Sequence, residues 1–386
     1  MIALVVLVAF GTLAVAATAS RQAATAGTAQ LQAGPVFKQV GSWGKLGSGN
    51  GQFLSNAYGL ATDRSGNVYV ADTDNFRIQV FTAKGGFKAV HAFVKSESVQ
   101  DVAVDTDGSV WGTALQAGQA RNFGGSGATI ATPKQALGIA VDANGNVYVA
   151  TAGDNIQSVI RYEKGASGYT PAKTIGGLAD PGDVEVSADG SVYVVDGLTV
   201  KRFVGDRPVK TIKGGASKPL GIGVDLDCNL WMTNISQRNL TRVSPSGKVL
   251  GTATSSDLIA QDVAVGPKGD LYAYDSGKHS VIHFAEDRSK PGTAAVPGRI
   301  TVSGGVAKIK YALSGIACPA EVAATATLTG AGVSGKAAVK VAAGKATVIS
   351  IPVKAAKGEK SAVFKIVLKT NGRPTTETKS VKVSVR

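Results

Sequence analysis

A ladder of residues returns six times along this chain: an acidic or small residue, Gly (Cys in one copy) three positions later, and Tyr or Trp three after that. The rungs are Asp63/Gly66/Tyr69, Asp105/Gly108/Trp111, Asp142/Gly145/Tyr148, Ser187/Gly190/Tyr193, Asp225/Cys228/Trp231 and Gly266/Gly269/Tyr272. Their first members lie 42, 37, 45, 38 and 41 residues apart. Short apolar runs flank each rung, as in Gly138-Ile139-Ala140-Val141 and Val147-Tyr148-Val149-Ala150. Two strand-forming runs joined by a D-x-x-G turn read as a hairpin, with Gly taking the positive φ of the turn. A third strand follows in Arg77–Phe81 and its echoes Val159–Tyr162, Lys201–Phe203 and Val281–Phe284, and a fourth at Gly86–Val90. Units of about 40–45 residues with four short strands are propeller blades, so residues 36–285 predict a six-bladed β-propeller.

Two irregularities in the ladder carry their own expectations. Cys228 replaces the turn Gly in the fifth copy, which predicts a strained or rearranged turn. The sixth copy ends after its third strand, at Phe284, while Phe37-Lys38-Gln39-Val40 resembles the outer strand Phe87–Val90 yet lies upstream of any complete blade. The N-terminal strand should therefore complete the last blade and leave no open edge at the seam.

The first copy carries a more specific pattern. Gly47-Ser48-Gly49-Asn50-Gly51-Gln52-Phe53, Gly59–Asp63, Gly66–Asp72 and Asn75–Gln79 together resemble an NHL repeat; the other five copies match mainly at their rungs. The chain is similar to secreted bacterial NHL proteins and to the extracellular sensor propellers of actinobacterial Ser/Thr kinases. That resemblance implies a propeller whose face binds a protein or a small ligand, as a monomer.

Four residues before each rung's first member stand Gly59, Asp101, Gly138, Asp183, Gly221 and Asp262. Glycine and aspartate alternate around the ring, where the innermost strands approach the central channel. Asp101, Asp183 and Asp262, with Glu185 two residues beyond Asp183, form a candidate Ca²⁺ or Mg²⁺ site at the channel mouth, because converging carboxylates suit a hard cation. The structural reading, each Asp accepting backbone N–H bonds from a neighbouring inter-blade loop, carries the greater weight. Asp72, Asp196, Asn234 and Asp275, at the ends of second strands, read as turn caps.

Related propellers include gluconolactonase-like hydrolases, which hold a divalent ion with a Glu, Asn and Asp set, and lyases that depend on channel-facing His. This chain has only His91, His279 and His283, none expected at the channel, and the three-Asp ring does not reproduce the lactonase set. No H-E-x-x-H, G-x-S-x-G, P-loop or Cys metal-ligand spacing occurs. The reading is a noncatalytic binding or scaffold module; the alternative is a metal-dependent lactonase-like hydrolase at the top of the channel.

The chain ends carry different information. Ile2–Ala17 is an apolar run followed by Ala17-Thr18-Ala19-Ser20, which resembles an A-x-A cleavage site; residues 1–20 read as a secretory signal and 21–35 as a linker, with an uncleaved anchor as the alternative. Secretion or cell-surface display follows. Two cysteines, Cys228 and Cys318, make no disulfide framework and read as separate buried thiols rather than an interdomain bridge. Beyond a linker over 286–296, residues 297–386 alternate with period two at Val306–Leu313, Glu321–Leu328, Ala346–Val353, Ala362–Leu368 and Ser380–Val385, which predicts an immunoglobulin-like β-sandwich of five to seven strands.

This second module holds 15 Lys or Arg against three Glu, a net +12 of the chain's +14. An anionic cell-wall polymer or lipid surface is the partner such charge suits; solvated lysines guarding strand edges are the equal alternative. Twelve of the fifteen are Lys and the aromatics are Tyr311 and Phe364, so nucleic acid is not expected.

Overall fold

The computed structural model describes residues 37–286, apart from 96, 125–126, 154, 214–217 and 226, and residues 299–385, apart from 304, 313–320, 331, 343–345, 357 and 371–372. The expected signal peptide and most of both linkers lie outside these. Among the described residues no helix is long and apolar enough to cross a membrane.

After β1 (Phe37–Trp43) come five complete blades of four antiparallel strands. They are β2–β5 (Leu60–Thr62, Val68–Asp72, Arg77–Phe81, Phe87–Ala92), β6–β9 (Val99–Val104, Val110–Ala114, Gln119–Phe123, Thr129–Ala131), β10–β13 (Ala136–Val141, Val147–Thr151, Ser158–Gly165, Gly168–Ile175), β14–β17 (Pro181–Val186, Ser191–Asp196, Thr199–Val204, Arg207–Ile212) and β18–β21 (Ile222–Val224, Leu230–Asn234, Asn239–Val243, Val249–Thr254). The sixth blade contains β22 (Ala260–Val265), β23 (Leu271–Asp275) and β24 (Ser280–Glu286), with β1 paired antiparallel to β24 as its outer strand. Ring closure through the N-terminal strand is therefore present. A single parallel bridge, Phe37 to Ala253, also ties β1 to blade five.

The ladder explains the packing. Asp63 accepts bonds from Ser65 N and Asn67 N, both at 2.8 Å, and from the Tyr69 hydroxyl at 3.1 Å, so the first rung member caps the turn and holds the third. All six rung aromatics are buried on second strands, and each packs with the first two strands of the following blade: Tyr69 with Val102 and Val110, Trp111 with Ile139 and Val147, and so on to Tyr272 with Leu60 and Val68 across the closure. The core is thus six inter-blade wedges. Burying each large ring contributes on the order of 1.5–3 kcal/mol.

Cys228 keeps the turn of its sister copies: its N–H donates to Asp225 O at 2.8 Å, and its φ is +54°, against +78° to +87° for the five turn glycines. The turn is retained, with a side chain in a conformation glycine tolerates better. Cys228 is also disulfide-bonded, which corrects the expectation of a free thiol; spacing along the chain does not decide pairing. Cys318 lies outside the described residues.

The C-terminal module has seven strands: β25 (Arg299–Ser303), β26 (Val306–Ala312), β27 (Glu321–Gly330), β28 (Val333–Ala342), β29 (Ala346–Ala355), β30 (Gly358–Thr370) and β31 (Arg373–Val385). The long pairings define two faces, β28-β27-β30-β31-β25 and β26-β29. Short pairings of two residues (β25 with β26) and three (β28 with β29) join them at both edges, so the expected sandwich closes into a continuous barrel. Its core holds Val302, Ile309, Leu328, Ile349, Ile351 and Phe364.

Candidate functional site at the channel mouth

The alternating Gly/Asp position is where the blades meet at the hub. Asp101 accepts from Val102 N and, in the next blade, from Ile139 N, both at 2.7 Å. Asp183 accepts from Val184 N at 2.6 Å and Ile222 N at 2.7 Å. Asp262 accepts from Val263 N and, across the closure, from Leu60 N, both at 2.6 Å. Every even blade thereby clasps the odd blade that follows it.

The glycines are required by the same device. A Cβ on Gly59 would lie 2.5 Å from Asp101 Cα, one on Gly138 2.7 Å from Asp183 Cα, and one on Gly221 2.5 Å from Asp262 Cα. Each odd blade is therefore stripped of a side chain so that the Asp of the next blade fits against it. Alternation in the sequence is alternation of clasp and socket, the structural reading of these residues.

Above the clasps the channel opens into a cavity of about 170 Å³. Even blades contribute Gln100-Asp101, Gly182-Asp183 and Gln261-Asp262; odd blades contribute Tyr58, Leu137-Gly138 and Leu220-Gly221. The residue before each clasp or socket, which the sequence reading passed over, makes the collar. That signal lay in the same register of the repeat, one position upstream.

Burial pushes Asp183 up to about 7, the backbone N–H donors opposing this. Burial, and then the Asp183 charge, raise Asp101 and Asp262 well above the usual carboxylate range, and the same two causes take Glu185 to about 8. Carboxyls packed this closely out of water do not all ionise at neutral pH. Among the described residues no group of three His, Cys, Asp or Glu is arranged to hold a metal ion.

The remaining expected positions do not line the cavity. Asp72 receives Asn75, Arg77 and Gln79 side chains; Asp196 Oδ1 accepts Ala179 N and Asp180 N at 2.7 Å; Asp275 Oδ1 accepts Gly277 N at 3.1 Å; Asn234 Oδ1 accepts Gln237 N at 3.3 Å. All four tie the turns and loops at the ends of second strands, as their spacing predicted. His91 lies on the outer strand β5, His279 in the turn before β24, and His283 on β24, stacked on Tyr272 at 4.6 Å. No histidine lines the cavity.

Residues 54–81 match the NHL repeat, and the ring of four-stranded blades over residues 37–286 is a β-propeller. No curated protein sequence matches it significantly. Solved propellers resemble it at low identity: virginiamycin B lyase from Staphylococcus aureus (17% identity, covering 66% of this chain and 91% of that one, TM-score 0.47), the calcium-binding protein regucalcin from Agrobacterium tumefaciens (14%, 65% and 95%, 0.48) and the WD40 propeller domain of Doa1 (12%, 66% and 98%, 0.48).

Proposed function

We propose that the propeller is a noncatalytic binding module that seats a small ligand, or a side chain of a protein partner, in the mouth of the channel. One observation carries this reading: the carboxyls at the mouth are committed to backbone clasps, and the surfaces left to a ligand are Tyr58, Leu137, Leu220 and the amides of Gln100 and Gln261. An apolar collar with a few polar groups suits binding and orienting a ligand. Export of the protein is part of the proposal, supported by the apolar run Ile2–Ala17 and by the disulfide at Cys228, since disulfides persist in oxidising compartments.

A thermal-shift screen of small polar and amphipathic compounds, run on wild type and Leu137→Trp, tests the binding reading. Stabilising compounds should lose their effect when Trp fills the collar. Metal-dependent turnover of lactones by the wild-type protein would overturn it.

A further inference from the structure

Blade four departs from the other even blades twice on one strand. The residue before the clasp is Gln100 in blade two and Gln261 in blade six, but Gly182 in blade four. Two residues past the clasp or socket stand Ala61, Ala103, Ala140, Gly223 and Ala264 in five blades, and Glu185 in blade four. Both departures lie on β14.

Packing asks for neither. A Cβ on Gly182 would meet only the Val195 side chain, at 3.6 Å, an ordinary contact, and Gly182 does not have a positive φ. The socket glycines Gly59, Gly138 and Gly221, by contrast, have no room for a side chain. Gly182 therefore leaves a gap in the collar that the fold does not require. Round the ring the collar runs Tyr58, Gln100, Leu137, Gly182, Leu220 and Gln261, so the gap lies between two leucines and the polar groups lie together on the other side.

Glu185 stands two residues beyond Asp183, about 7 Å further along β14 from the mouth. Ala103, Ala140 and Ala264 are buried between blades, whereas Glu185 is half-buried. Its charge acts on Asp101, two blades away round the ring, so its carboxyl faces the channel. It is not committed as the clasps are. Its hydrogen-bond donor is its own neighbour, Val186 N, and among the described residues it takes no bond from blade five and no ion pair. Withdrawing a carboxyl from water without a counter-charge costs free energy, and an entering cation offsets that cost. No Lys, Arg or His among the described residues lines the cavity.

We propose that the channel mouth takes a ligand headed by a primary alkylammonium group. Its chain lies in the gap at Gly182 between Leu137 and Leu220, and its ammonium pairs with Glu185. This deepens the channel reading and rests on it. A free amine and the lysine side chain of a protein partner present the same group.

The probes are n-pentylamine, n-pentanol and pentanoate, one shape with a cationic, a neutral and an anionic head, together with Nα-acetyl-lysine amide as the side-chain arm. They are titrated against the full chain at about pH 9, where Glu185 is mostly ionised and a primary amine still protonated. Pentylamine should bind about tenfold tighter than pentanol, as a charge-assisted hydrogen bond requires, and pentanoate should not bind. In Glu185→Gln the amine should fall to the level of the alcohol, whose own affinity stays within about twofold. Gly182→Gln, which fills the gap, should weaken both, and circular dichroism checks that the variants are folded. Tighter binding of the lysine amide than of pentylamine would support a protein partner as the source, and the reverse a free amine. Equal binding of amine and alcohol, or amine binding unchanged in Glu185→Gln, would overturn the ammonium assignment and leave the channel reading standing. Binding of none of the four would overturn both.

Discussion

Leu60 N donates to Asp262 Oδ2 at 2.6 Å, joining residues 202 positions apart where the sixth blade meets the first. The same bond recurs twice around the hub, from Ile139 to Asp101 and from Ile222 to Asp183. Replacing Asp262 with Ala leaves the Leu60 and Val263 N–H groups without their acceptor. A loss of about 1–3 kcal/mol for each buried donor is expected, read as a lower urea midpoint, with similar losses for Asp101→Ala and Asp183→Ala. Unchanged midpoints would show that the clasps do not hold the ring.

The socket side has its own test. In Gly221→Ala the new Cβ runs into Asp262 Oδ1 and meets Asp262 Cα at 2.5 Å, and a destabilisation of about 1–3 kcal/mol is expected. Gly176→Ala, where no heavy atom lies within 4 Å, should be near neutral. Equal effects at the two sites would contradict the clasp-and-socket account.

Closure by β1 predicts that deleting residues 36–42 opens the ring. The milder variant Phe37→Ala removes an edge-to-face contact with Trp231, ring centroids 4.8 Å apart, and should cost about 3 kcal/mol. An unchanged melting temperature in the deletion protein would show that β1 is dispensable.

Much of this was legible in the sequence for one reason: a propeller repeats its local physics. Asp63, Gly66 and Tyr69 announce a capped turn and an inward aromatic because those requirements are local, and six copies reinforce one another. The missing outer strand was readable because Phe37–Val40 echoes Phe87–Val90. What the clasps do was not decided by position alone, since Asp101 receives Ile139 N from 38 residues away and only the assembled ring brings them together. In the C-terminal module, strands β25 and β28 were missed, having no repeat to support them. The disulfide at Cys228 was missed because pairing depends on long-range geometry.

The hub also predicts a pH dependence. Asp183 and Glu185 titrate near 3.8 and 4.5 when unfolded but near 7 and 8 in the fold. Folding therefore favours their protonated forms: that stabilisation is full below about pH 4 and is lost as pH rises through 7 to 8. Glu185→Gln removes one titrating group, so its urea midpoint should pull ahead of wild type as pH is raised from 5 to 9. Parallel curves would place Glu185 in ordinary solvent.

Cys228 gives a covalent check. Alkylation of the unreduced, denatured protein should leave Cys228 unmodified, and prior reduction should expose it, as peptide mass spectrometry would show.

The measurement that tests the account most directly is divalent-metal content combined with the thermal response to Ca²⁺ and Mg²⁺. With the carboxyl oxygens of Asp101, Asp183 and Asp262 committed to backbone N–H groups, purified protein should hold no stoichiometric metal and neither ion should raise the melting temperature. A stoichiometric ion, with a stabilisation that disappears in the Asp101→Ala/Asp183→Ala/Asp262→Ala variant, would make the ring a metal site and contradict the account.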